Sequence, residues 1–296
     1  MAPTLSSLNT EPQHTETQQS ETPAPAPAAG NSLPEADRLR LSRPFSLPTA
    51  RGAALWAILA VVLVWAGAGA GLNPDKLVSG LPNMGDFLAR LFPPTFDKFG
   101  VIVRLLIETL QMAVVGTVLG ALVSLLLSFG AASNIAPRWV YAGCRWILNV
   151  LRSIPELIYA LMFVSAVGLG PFAGILAIVL GSVGSIGKIY AEAMESVQPG
   201  PVEALAAVGA DKRQIITYAI LPQAAPLLVS YTLLLFEGNV RGATILGLVG
   251  AGGIGLELTT AMRMYDYGHL CAIILSIIVL VSIIDRLSAL IRAKLS

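Results

Sequence analysis

The chain has 296 residues, of which 55% are hydrophobic and only 12% charged, with a mean hydropathy of +0.72; a soluble domain carries roughly 25% charged residues, so the surplus apolar surface must face lipid. Lysine and arginine number 19 against 18 acidic residues, a net charge of +1, and that balance excludes a basic nucleic-acid binder, whose affinity rests on clustered phosphate-neutralising side chains. Divided into spans of about 20 residues with short connections, this length makes one all-α polytopic membrane domain. Cys144 and Cys271 sit far apart in apolar stretches and read as small buried hydrophobes, and with His14 and His269 they match no zinc spacing.

Residues 1–47 are rich in Pro, Ala, Thr, Glu and Gln and have no Lys or Arg before Arg38, the composition of a disordered tail. Arg38, Arg40, Arg43 and Arg51 then precede the first apolar run and predict a cytoplasmic N-terminal flank. The membrane domain occupies 48–296. Its first span is read at Ala53 to Leu72, and Asn73 to Val103 is read as an outer loop in which Asp75, Asp86 and Asp97 offset Lys76, Arg90 and Lys98. Leu105 to Ala131 is the second span. Ser133 to Arg152 carries Arg138, Arg145 and Arg152 at heptad spacing among aromatic and aliphatic residues, which suits either a helix lying in the inner interface or a basic cytoplasmic loop. The uncharged run Leu157 to Gly187, broken at Gly168, Gly170 and Pro171, predicts two spans joined by a tight outer turn. Gln214 to Phe236, with Pro222 and Pro226, is a fifth and kinkable span, Glu237 to Asp266 is polar and Gly-rich, and Gly268 to Ile284 is the last. About six crossings put both ends inside, in agreement with the placement of Lys and Arg.

The segment Pro199 to Arg213 predicts a short cytoplasmic helix at about 200–211, with Gly200 as cap, Pro201 at the first helical position, Glu203 in the first turn and Gly209 as terminator. Its alanines let another protein approach the backbone closely, so it has the shape of a docking element. The order Glu203-Ala204-Leu205, three residues, Gly209, nine residues, Ala219, one residue, Leu221-Pro222 resembles the Glu-Ala-Ala loop of binding-protein-dependent ABC importer permeases. It departs from that motif at Leu205, where Ala is usual, and at Ala219, where Ile is common. The blocks at Glu108 to Met112, Arg152 to Leu157, Gly187 to Glu192 and Arg241 to Gly255 look like the phosphonate-importer branch. The resemblance implies a type I, methionine-permease-like fold and a homodimer with two ATPase subunits seated on the coupling helices at Glu203, Ala204, Leu205, Gly209, Leu221 and Pro222. It also implies an extracytoplasmic phosphonate- or phosphate-binding protein that delivers the anion.

Ionisable groups inside spans are costly and usually face a pathway or a partner. Glu108, Gln111, Ser153, Pro155, Arg241, Thr244, Gly250, Gly252 and Gly253 are therefore the translocation-pathway candidates. Glu237 and Arg241, four residues apart, could pair on one helix, or Arg241 could offer its forked donors to an oxyanion. Glu108 reads as a local partner of Arg104. Gly250, Gly252 and Gly255 match a dinucleotide pattern without a preceding strand, so they read instead as a segment that packs closely or lines the passage. No phosphate-binding loop is present: near Gly187-Lys188, Ser182 stands where its first Gly should be and Ile189 where its hydroxyl should be. ATP and Mg are thus expected on a separate subunit, with no cofactor, metal or catalytic residue on this chain and with lipid, not nucleic acid, around it. An ion-coupled secondary transporter, or an importer permease for another small solute such as an amino acid, is the alternative.

Overall fold

A computed structural model describes residues 50–72 and 74–294; the expected tail over 1–47, with His14 and Arg38 to Arg43, lies outside them. Among the described residues all regular secondary structure is helical. The chain divides at Pro74 into two units. The first contains helix α1, Ala50–Gly69, which is uncharged after Arg51 and long enough to span.

The second unit begins with a difference from the sequence reading. The expected loop contains an 18-residue helix, α2, Pro74–Leu91. Its Leu77, Leu81, Met84, Leu88 and Leu91 recur every three or four residues, a period that net-charge bookkeeping hides. After α2 come α3, Phe99–Ala131, α4, Arg138–Ser153, α5, Glu156–Val167, and α6, Pro171–Glu195. The α4 helix confirms the helical reading of the basic stripe. The expected third span is only the 12 residues of α5, roughly 18 Å, which is short of the roughly 30 Å hydrocarbon core. Only joined to α4 across an 85° bend is it apolar and long enough to count, as a broken span or a re-entrant loop, so among the described residues five helices are long and apolar enough to cross, or six with the bent pair. The predicted tight turn is present, with Gly168 at φ +93° and Gly170 at φ +141°.

Helix α7, Pro199–Ala207, follows α6, and the short α8, Lys212–Ile215, opens through a π turn at Ile216–Ile220 into α9, Leu221–Leu246. Pro222 has no N–H for the carbonyl of Tyr218, and the wider hydrogen-bonding of the turn lies directly before it. α9 extends ten residues beyond Phe236, so Glu237 and Arg241 belong to the span itself. The 3-10 turn Gly247–Val249, α10, Ile254–Arg263, and α11, Tyr267–Ala293, complete the chain.

The core lies in three apolar clusters along α3. Ile102 packs with Ile254 and Ile273, Met112 with Ile178 and Leu246, and Ala131 with Leu148, Ile186 and Met194. α6 sits among α3, α4, α5 and α9 and meets them through small residues. A Cβ on Gly116 would lie 2.5 Å from Ile178, and one on Gly120 2.6 Å from Ser182, so these two glycines, four apart on α3, let α6 approach closely. On another side of α6, a Cβ on Gly184 would lie 2.6 Å from the backbone nitrogen of Arg152 and one on Gly187 2.6 Å from Leu148. These glycines seat the α4–α5 bend against α6. Lipid gives apolar helix faces no hydrophobic reason to associate, so contact of this kind carries the packing.

Because the obstruction at Gly184 is backbone, Gly184→Ala should destabilise the chain by about 1–3 kcal/mol. Gly143→Ala, at an exposed α4 position with nothing within 4 Å, should stabilise it by about 0.5–1 kcal/mol. Thermal unfolding in detergent distinguishes the two, and equal shifts would refute the close-packing account.

Candidate functional site

The α7 helix is built by its ends. Gln198 is its N-cap and Pro199 its first residue, two positions earlier than the expected Pro201, because the fixed φ of proline suits a first helical turn wherever the first proline falls. Glu203 consequently lies in the second turn, and the expected dipole contact is not made. The Gln198 N–H donates to Gln223 Oε1 at 3.1 Å while Gln223 Nε2 donates to the Ala219 carbonyl at 2.9 Å. One side chain thereby ties α7 to the root of α9.

At the other end Gly209 has φ +81°, and Gly209 N donates to Ala206 O at 3.1 Å and Ala210 N to Leu205 O at 3.0 Å, the bonding of a Schellman stop. Asp211 then starts α8 with a capping box: Gln214 N donates to Asp211 Oδ1 at 2.8 Å and Asp211 N to Gln214 Oε1 at 2.9 Å. The Asp-x-x-Gln pattern was available in the sequence but was overlooked beside the Glu-Ala-Ala motif. Val202 and Leu205 face inward, half-buried, whereas Glu203, Ala204, Ala206, Ala207 and Gly209 are exposed and Val208 is 79% exposed. Leu205 is thus an inward position, Ala219 is buried, Leu221 is half-buried and Pro222 exposed.

The pathway candidates fall into separate places. Glu108 does not pair with Arg104; its Oε1 accepts from Gly253 N at 2.9 Å, and Thr109 Oγ1 accepts from Ile254 N at 2.9 Å. Two orphan donors at the start of α10 are thereby capped from α3, and a helix terminus supplies free N–H groups that a nearby arginine does not. Gly250, Gly252 and Gly253 all have positive φ and are buried, and the Gly170 N–H donates to Gly250 O at 3.0 Å. Within the chain they therefore serve close packing. A Cβ on Gly252 would lie 2.8 Å from Pro171 N.

The expected Glu237–Arg241 pair is not formed. Arg241 Nη2 donates to both carboxylate oxygens of Asp285 at 2.6 Å, and Arg292 Nη2 lies 2.8 Å from Glu237 Oε1. Both residues face α11, whose charges offer shorter cross-helix partners than a neighbour one turn along α9. Thr244 Oγ1 donates to the Arg241 carbonyl and Ser153 Oγ to that of Val150. Gln111 and Pro155 are exposed, the latter at the α4–α5 bend.

Sequence reasoning missed three polar features at helix junctions. Buried Asn239 Nδ2 donates to Thr117 Oγ1 at 2.8 Å and to Ser182 Oγ at 3.0 Å, joining α9, α3 and α6. Arg145 Nη2 meets Glu195 at 3.0 Å. Glu156 Oε1 is buried without a hydrogen-bond partner, its side chain lying between Gly181 and Gly242. An uncharged amide inside an apolar run, Asn239, was the available signal.

Residues 116–296 match the family described as binding-protein-dependent transport system inner membrane component. This chain belongs to that family. The permease is 40% identical over 263 residues to the phosphite transport system permease protein PtxC of Stutzerimonas stutzeri, covering 88% of this chain and 96% of that protein. It is 42% identical over 228 residues to the phosphate-import permease protein PhnE of Mycolicibacterium smegmatis, covering 76% of this chain and 42% of that protein. Its fold matches a solved inward-facing MetNI methionine ABC transporter with a TM-score of 0.61 at 24% identity, over 68% of this chain and 99% of that one. The protein is accordingly a multi-pass membrane permease of the ABC importer type I fold and a transport subunit, and its family works with an ATPase and a substrate-binding protein.

Thr109→Val keeps the shape of the side chain but removes the acceptor for Ile254 N–H. It should cost about 1–3 kcal/mol and speed amide exchange at Ile254 in hydrogen-exchange measurements. Unchanged exchange there would dismiss the capping role.

Proposed function

We propose that this permease carries phosphite, phosphate or a phosphonate across the inner membrane as a homodimer, driven by two ATPase subunits that dock on α7 and bind ATP and Mg. The observation that carries the docking part is the helix itself: α7 is stopped at both ends, tied through Gln223 to α9, and presents Glu203, Ala204 and Ala207 outward. Small exposed residues admit a partner's groove, and a capped helix transmits a push without fraying. The substrate class is supported by the names of the relatives, which are a phosphite and a phosphate permease.

Counting α4–α5 as one span gives an even number of crossings, which supports both termini lying on one side, and Arg138 at the start of that pair, Lys188 to Arg213 and Arg286 to Lys294 support reading that side as the cytoplasm. The 1–47 segment then lies inside as a tail to the 48–296 membrane domain. In the assembled dimer, Gln111, Ser153, Pro155 and Thr244 are the pathway candidates whose surfaces the single chain leaves at least partly open. Arg241 would reach an oxyanion only by sharing or leaving Asp285. Glu108 and Gly250 to Gly253 would shape the passage from behind.

Glu203→Lys and Gly209→Val should each reduce ATPase association and phosphite uptake at least tenfold while the permease still inserts, as read by copurification and uptake in proteoliposomes. Normal association in both variants would sink the docking assignment. Uptake of an amino acid in place of phosphite, phosphate and methylphosphonate would sink the substrate assignment.

A further inference from the structure

Helix α2 carries charges of both signs along its length, Asp75, Lys76, Asp86 and Arg90, and among the described residues it divides cleanly into two faces. Leu77, Leu81, Met84 and Leu88 recur on one side, while Ser79, Asn83, Asp86 and Arg90 occupy the other. Among the described residues of its own unit nothing covers the apolar side: Leu77 is 67% exposed, Met84 57%, and Leu81 and Leu88 56%. Its C-terminal end is fixed to the bundle. Leu91 is buried in the cluster that contains Ile102 of α3 and Leu270 of α11. The Phe87 and Tyr267 rings meet edge to face at 5.5 Å, and just beyond the helix Thr95 N donates to Gly268 O at 3.1 Å.

We infer that α2 lies flat in the outer membrane interface, with its Leu77–Leu81–Met84–Leu88 face in the lipid and its charged face in water, held by apolar adsorption rather than by attraction to anionic headgroups. Three observations select lipid as the occupant. The anchored end sits at the first turns of α3 and α11, where spans begin, and the exposed Phe96, Phe99, Val101 and Val103 continue the apolar surface there. Pro82 inside the helix removes the N–H that the Val78 carbonyl would otherwise use, and such a group is satisfied in the interface but not in hydrocarbon. The polar face carries Asp75 and Asp86 against Lys76 and Arg90, so it offers no net charge to an anionic surface.

The outer placement rests on the topology proposed above; the adsorption itself does not. Leu81→Cys, Leu88→Cys, Ser79→Cys and Asp86→Cys, each spin-labelled in the complete transporter in zwitterionic proteoliposomes, provide the test, with the protein carrying only its native Cys144 and Cys271 as baseline. Labels at 81 and 88 should collide severalfold more with oxygen than with a water-soluble nickel chelate, those at 79 and 86 the reverse, and the pattern should survive high salt. Chelate access on both faces would overturn the inference, as would exclusion of both reagents at 81 and 88, the signature of a second copy or a binding protein on that face. Loss of the pattern without anionic lipid would overturn adsorption by apolar area. If the chelate reached 79 and 86 only from the side on which ATP drives transport, the outward orientation would fall while α2 stayed on a membrane surface.

Discussion

The close approach of α6 to its neighbours is the contact on which the remaining architecture depends. Gly184 against the Arg152 backbone, Gly187 against Leu148, and Gly116 and Gly120 of α3 against Ile178 and Ser182 bring helix axes together where side chains of ordinary size would hold them apart. In lipid the alternative to such contact is not water but equally apolar acyl chains, so dispersion at short range and a few buried hydrogen bonds must supply the preference. Asn239 can reach Thr117 and Ser182 together only because α3 and α6 are already close, and the α4–α5 bend has a surface to lean on for the same reason.

From that centre the functional parts are connected through a short chain of elements. α7 is bound by Gln223 to the root of α9, α9 is bound to α11 by the Arg241–Asp285 and Glu237–Arg292 pairs, and its far end enters the glycine turn capped by Glu108 and Thr109 of α3. A displacement at α7 therefore meets the root of α9, and the turn beyond the far end of α9 leads into the start of α10, which is held by hydrogen bonds from α3. Ion pairs between spans suit this role, since separating them in a low-dielectric setting is costly and they hold register more firmly than apolar contact does.

Much of this was legible beforehand, and the limits follow from what a linear pattern can carry. The spans, the glycine turn at Gly168 and Gly170 and the capped helix that ends at Gly209 are local: runs of apolar residues, breakers and a motif of fixed spacing. The α2 helix was misread because equal numbers of opposite charges suggested a loop, when the period of Leu77, Leu81 and Leu88 already described an amphipathic helix. The charges were misassigned for a different reason. Glu108 was read as a partner of Arg104, and Glu237 was one of two alternatives for Arg241, because each stands four residues away, yet their partners are Gly253, 145 residues on, and Arg292 on α11.

By itself the sequence determined a membrane permease with a short stopped helix ending at Gly209, because hydropathy, capping and loop charge act within a few residues of each other. Only the tertiary structure decided which charges face each other, that α4 and α5 form one pair bent by 85°, and that Gly250 to Gly253 are buried and capped from α3. Those outcomes depend on which helices become neighbours. The neighbours are chosen by small-residue contact across long stretches of chain, which no single segment encodes.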